Sequence, residues 1–131
     1  MREIKFRAWS KDHKFMGNVY SLDFETGLVK VEHVQKGTTH TLGISNVSLR
    51  QFTGMKDQND KEIYEGDLVK ETHIVPEERF VTVCPIEFVD AMFIINDGNF
   101  GEQTPLHENV YGCEVVGNIY ETPELANVFE E

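Results

Sequence analysis

The sequence predicts a mostly β protein of short antiparallel strands, arranged as a sandwich or small barrel and closed by a short C-terminal helix. Two observations carry this expectation. Apolar residues alternate with period 2 along most of the chain, whereas helix-period stretches are nearly absent. Clusters rich in Gly, Pro, Asn and Asp interrupt the alternation at short intervals, as the turns of an all-β domain do.

Taken in order, "IKFRAW" puts Ile4, Phe6 and Ala8 on one side of an extended chain and Lys5, Arg7 and Trp9 on the other. "SKDHK" is a turn, "FMGNVYSLDF" a second strand ended by "ETG", and "LVKVEHV" a third that ends in "QKGTTH" around Gly37. "TLGISNVSLRQF" reads as one short strand followed by an irregular crossing. "DLVKETHIV" is a strand that stops at Pro76, with "RFVTV" as its hairpin partner across "PEE". "IEFVDAMFII" reads as one strand between Pro85 and the turn "NDGNFG", and "YGCEVVGNIY" as the last. In the tail, Thr122 suits a helix cap, Pro123 the first helical position and Glu124 the positive end of the dipole, for one or two turns.

Charge divides the 131 residues unevenly. Residues 1–50 carry eight Lys/Arg and five Asp/Glu, whereas residues 51–131 carry four and eighteen, a net of +3 against −14. Binding to a phosphate backbone needs clustered cations, so direct nucleic-acid binding is not expected of the second half. There is no apolar run of membrane-spanning length and no apolar secretion-signal stretch after "MREIKFRAWS", which points to a cytoplasmic protein away from membranes. Cys84 and Cys113 lack metal or redox spacing and read as reduced core residues.

The stretch "TGMKDQNDKEIYEGDLVK", residues 53–70, raises three readings. A calcium loop starting at Asp57 would place Lys61, Glu62 and Leu68 where an oxygen ligand, a glycine and a glutamate are required, so it fails. Glu65 and Asp67 would act as an acid–base pair only inside a pocket that separates their pKa values, and the sequence shows none. The remaining reading is a turn at "KDQND", extended chain at Ile63 and Tyr64, a bend at Gly66, and re-entry into the core at Leu68 and Val69. His13, His33, His40, His73 and His107 are scattered without HxH or HxxxH spacing and read as surface or hydrogen-bonded residues. The glycines of "NDGNFGE" lack the lysine and helix of a phosphate loop, and no serine lies in a GxSxG elbow. No catalytic residue, metal ligand or cofactor is therefore assigned. Trp9, Tyr20, Tyr64, Tyr111 and Tyr120 fall near strand ends, where aromatics serve either the core or an interface.

"IKFRAW", "TGMKDQNDKEIYEGDLV", "IEFVDAMF" and "VVGNIYETPEL" together resemble the YopX-like family of phage and prophage proteins. Gly54, Asp57, Ile63, Tyr64, Glu65, Gly66, Asp67 and Val69 match its most specific segment, and Gly117, Asn118, Ile119 and Tyr120 a second. The resemblance implies a mostly β fold whose later half is similar to a small SH3-like barrel, in a bacterial cytoplasm; it supplies no activity and no functional residue. It gives an N-terminal β region over 1–52, the barrel region over 53–121 and a helix or tail over 122–131. Where relatives place glycine in the turn, this chain has Asp60, which points to another turn type.

The expected function is a non-enzymatic accessory module that binds an unidentified host or phage protein. Its expected surface comprises Glu65, Asp67, Glu77, Glu78 and Asp90 of the acidic half. Two rivals remain: an acidic mimic of nucleic acid, and an enzyme assembled from residues such as Glu65, Asp67 and His73. Self-association is also open, because small β domains have edges to cover.

Overall fold

The computed structural model describes residues 3–97 and 102–126. The chain forms two compact units, residues 1–52 and residues 53–131. Both are antiparallel β. Among the described residues no helix is long and apolar enough to cross a membrane.

The first unit contains β1 (Phe6–Ser10), β2 (Phe15–Asp23), β3 (Leu28–His33), β4 (Thr39–Gly43) and the start of β5 (Val47–Lys56), with a 3-10 turn at Ile44–Asn46. They lie side by side in the order β4-β3-β2-β1-β5. Alternation places Ala8, Phe15, Val29, Val31 and Val47 in one buried cluster. The "irregular crossing" expected after residue 41 is instead two strands joined by that 3-10 turn. Ile4 precedes β1 and is 75% exposed, so it does not share the buried face of Ala8.

One turn design recurs three times in this unit. Each of the first three hairpins turns over four residues, and the last of the four returns its N–H to the carbonyl before the loop: Lys14 to Ser10, Gly27 to Asp23, Gly37 to His33, each at 2.9 Å. That last residue is left-handed every time, with φ of 56° at Lys14 and 71° at both glycines. The side chain before the loop also accepts backbone N–H groups from within it. Ser10 Oγ takes that of His13, Asp23 Oδ1 those of Glu25 and Thr26, and His33 Nδ1 those of Gln35 and Lys36. Such bonds hold turns that would otherwise sample many conformations.

The second unit holds the end of β5 and β6 (Glu62–Tyr64), which continue the first order as β5-β6, and a five-stranded sheet. The latter comprises β7 (Asp67–Val75), β8 (Glu78–Val89), β9 (Met92–Asp97), β10 (Glu102–Pro105) and β11 (Cys113–Asn118), in the order β10-β9-β8-β7-β11. One helical turn, α1 (Leu106–Asn109), precedes β11. Ile63 of β6 packs with Val69, Ile86, Ile95, Cys113 and Val115 of the sheet in one core, a small barrel-like sandwich. The pairings among the described residues do not close into a complete barrel.

β8 changes partner at Pro85. It pairs with β7 from Glu78 to Pro85 and with β9 from Ile86 to Val89. Pro85 therefore lies inside a strand rather than ending one, at the point where the ladder passes from one neighbour to the other. "IEFVDAMFII" is not one strand but a hairpin, folded at Asp90 and Ala91 with φ of 51° and 61°. Two left-handed residues in a two-residue loop match the twist of the flanking strands. Neither is glycine, which is why the turn gives no sequence signal.

In the tail Pro123 does open a 3-10 turn, Pro123–Leu125, but Thr122 does not cap it. Its hydroxyl instead accepts the Asn118 N–H at 3.0 Å. Residues 127–131 of the expected helix and 98–101 of the "NDGNFG" turn lie outside the described residues.

Candidate functional site

The segment 53–70 is scaffolding, and Asp57 is its anchor. Asp57 Oδ1 accepts the N–H groups of Asn59 and Lys61, at 2.8 and 2.9 Å, and Oδ2 accepts that of Val115 on β11 at 2.7 Å. Burial works to raise its pKa, but these three donors and the Lys61 ammonium hold the carboxyl below the usual aspartate range. A carboxylate engaged by three backbone donors serves the fold rather than a cation. Asp60 takes φ 64°, so the left-handed turn position survives without glycine, contrary to the expected change of turn type. Gly66, at φ 87°, makes the bend, Ile63 and Val69 are fully buried, and Tyr64 nearly so.

The five acids of the expected interaction surface lie in different surroundings. Asp67 is only 4% exposed and its Oδ2 accepts the Tyr64 N–H at 2.7 Å, so it pins the bend at Gly66 and offers no docking charge. Glu77 and Glu78 are exposed at the β7–β8 turn, while exposed Asp90 lies at the β8–β9 turn, the opposite end of the 12-residue β8. At about 3.3 Å per residue that is roughly 35 Å of strand. Half-buried Glu65 falls between these ends, next to the Gly66 N–H that bonds Ile86 O. Nor do Glu65, Asp67 and His73 share a pocket: of the three, His73 alone lines a described groove. Among the described residues no three His, Cys, Asp or Glu side chains converge as a metal ion requires.

That groove, about 440 Å³, is lined by Glu71, His73 and Ile74 of β7 and by Glu108 and Tyr111 of the segment before β11. Leu106 and Val110 are buried and fasten this segment into the core, which leaves Glu108 and Tyr111 outward. Tyr111 is 89% and Ile74 80% exposed, large apolar surface beside two carboxylates. Glu71 occupies a core-facing position, two residues beyond fully buried Val69 and opposite Cys113 and Thr82. Burial raises its pKa; nearby His73 works against the rise and Asp97 adds to it. His73 is held by Thr82 Oγ1 at 2.8 Å and by stacking on Phe80 at 4.8 Å. The thiols beneath are inert: Cys84 and Cys113 are free and buried, with burial pushing them up to about 11 and about 12.

Sequence reasoning missed Glu71 and Glu108. A signal for Glu71 was present, since "VKETH" places it in phase with Val69 on a strand whose core face is otherwise apolar. Glu108 had none, because it depends on how α1 is anchored. The histidines, scattered in sequence and read as surface or hydrogen-bonded, are partly so: His33, His40 and His73 carry hydrogen bonds. His13, His33 and His40 come together in a groove of the first unit, where Phe15 stacks on His33 at 4.6 Å and lies 4.9 Å from His40.

The family model for YopX protein matches residues 5–127. The chain belongs to the YopX family. Among solved structures it is similar to protein EF1440 from Enterococcus faecalis, with 26% identity and a TM-score of 0.64 over 95% of this chain and 99% of that one. It is similar in fold to yopX from Bacillus subtilis, with 20% identity and a TM-score of 0.64 over 97% and 100% of the two chains. No curated protein matches it. Most of the residues on which the resemblance in the 53–70 segment rests shape the fold: Gly54 and Gly66 supply left-handed backbone, Asp57 and Asp67 tie turns, and Ile63, Tyr64 and Val69 fill the core.

Proposed function

We propose that this member of the YopX family is a non-enzymatic binding module, and that the groove of Glu71, Ile74, Glu108 and Tyr111 receives a protein segment carrying a lysine or arginine beside an apolar residue. The observation that supports this most is Glu71 itself, a carboxylate at a core-facing strand position whose ionisation burial opposes. An arginine or lysine entering the groove adds positive charge beside Glu71 beyond that of nearby His73, and Glu108 supplies a second carboxylate for it. Ile74 and Tyr111 supply apolar contact, the Tyr with a polar tip that tolerates a partly wet interface. The net charge of −14 over residues 51–131 steers such a partner towards this unit. Glu77 and Glu78 belong to the same hairpin and favour the same approach, whereas Asp90 at the far end of β8 contributes only to the long-range field.

Selection of a random 12-residue peptide display library on the wild-type protein tests this reading. The expected result is enrichment of peptides pairing Arg or Lys with an apolar neighbour, and loss of that enrichment on E71Q/I74D but not on D90N. Enrichment that ignores E71Q/I74D would overturn the proposal, as would the absence of any basic consensus.

A further inference from the structure

We propose that the histidine-lined groove of the first unit binds the dianionic phosphate of a phosphate monoester. The groove measures about 780 Å³ and is bordered by His13 and Lys14 from the β1–β2 turn, His33 from β3, Lys36 from the β3–β4 turn and His40 from β4. Three imidazoles and two ammonium groups line it, and no carboxylate does. A site so composed is complementary to an anion, and its volume accommodates a phosphate together with the carrier it is esterified to. Lysine is a compact point charge well suited to phosphate.

Two structural details sharpen the assignment. His33 Nδ1 accepts the N–H groups of Gln35 and Lys36, at 3.1 and 3.2 Å, so the neutral ring carries its proton on Nε2, leaving that N–H as a donor. Stacking on Phe15, with 7° between the rings, fixes its plane. The second detail is Lys14. It occupies the left-handed position that glycine fills in the two sister turns, at Gly27 and Gly37. A side chain there is strained where glycine is not. Of the three sister turns, the one that carries this strain is the one whose closing residue lines the groove.

The test is an NMR titration of the full chain with ribose 5-phosphate, inorganic phosphate and ribose. Ribose 5-phosphate is expected to shift the His33 and His40 resonances saturably, with a dissociation constant on the order of 1 mM or tighter. Ribose is expected to shift nothing. Equal binding of inorganic phosphate would support recognition of the phosphate group alone; weaker binding would show that the carrier is read as well. Lys14→Gly is expected to raise the melting temperature by a few degrees while weakening the phosphate ester about tenfold, and Lys36→Gln to weaken it without stabilising the fold. Unshifted histidines at 10-fold that concentration, or Lys14→Gly binding as the wild type does, would refute the proposal.

Discussion

Both units fasten turns with local side-chain acceptors, but the principal loop of the second adds a long-range one. In residues 1–52 each of the first three loops is secured by the residue just before it, through side-chain acceptors two or three residues from their donors. In the second unit the principal loop depends on Asp57, whose carboxylate joins its own turn to Val115, 58 residues away. Local fastenings fail one at a time, whereas a long-range one ties the loop to the sheet and makes both depend on a single side chain. The units differ in charge as well. The groove of the first is lined by imidazole and ammonium groups, and that of the second by carboxylates and exposed apolar surface.

The largest effect that separates these designs is expected from Asp57→Ala. It removes one charged acceptor from three donors, one of them within the sheet, and should destabilise the second unit by about 3–4 kcal/mol in urea unfolding. Asp23→Ala breaks the equivalent fastening in the first unit and should produce an effect several times smaller, because that turn is exposed and keeps Gly27. Equal losses for the two would erase the distinction. Acid sharpens it further. The folded pKa of Asp57 is depressed, so its contribution is complete above the ordinary aspartate value of about 4 and is lost as pH falls through the lower, folded value. Asp57→Asn should therefore flatten the loss of stability over that interval.

Turn glycines give the smallest effects. Asp60→Gly and Ala91→Gly each place glycine where φ is 64° or 61° and should stabilise by about 0.5–1 kcal/mol, once the greater freedom of glycine in the unfolded chain is set against the relieved strain. Destabilisation in chemical denaturation would show that these side chains make contacts that outweigh the strain.

The same division explains what could be read from the sequence. Strands β1 to β3 and the turns at Gly27 and Gly37 were legible, because period-2 alternation and glycine are local signals, whereas β4 was read partly as a turn and the start of β5 as an irregular crossing. The Asp90–Ala91 hairpin was not, because neither residue advertises left-handed backbone. The passage of β8 through Pro85 was hidden too, since only the change of ladder partner at Ile86 accommodates a proline there. Of the site, Tyr111 was visible as a strand-end aromatic and Glu77 and Glu78 as acids of a turn. The burial of Asp67 and the gathering of His13, His33 and His40 depend on strand register, which a linear reading does not supply.

Glu71 gives the most direct test of the binding account. Its folded pKa is raised, so the wild type is relatively most stable below the ordinary glutamate value of about 4.3 and loses that advantage as pH rises through the folded value. The decisive measurement is the urea-unfolding stability of wild type and Glu71→Gln from pH 4 to pH 8, repeated with a saturating peptide selected on the wild type. The account predicts near-equal stability at pH 4, a more stable variant at neutral pH, and a peptide that stabilises the wild type but binds the variant about tenfold more weakly. A variant less stable than wild type at neutral pH, and equally stabilised by the peptide, would make Glu71 a structural residue and contradict the account.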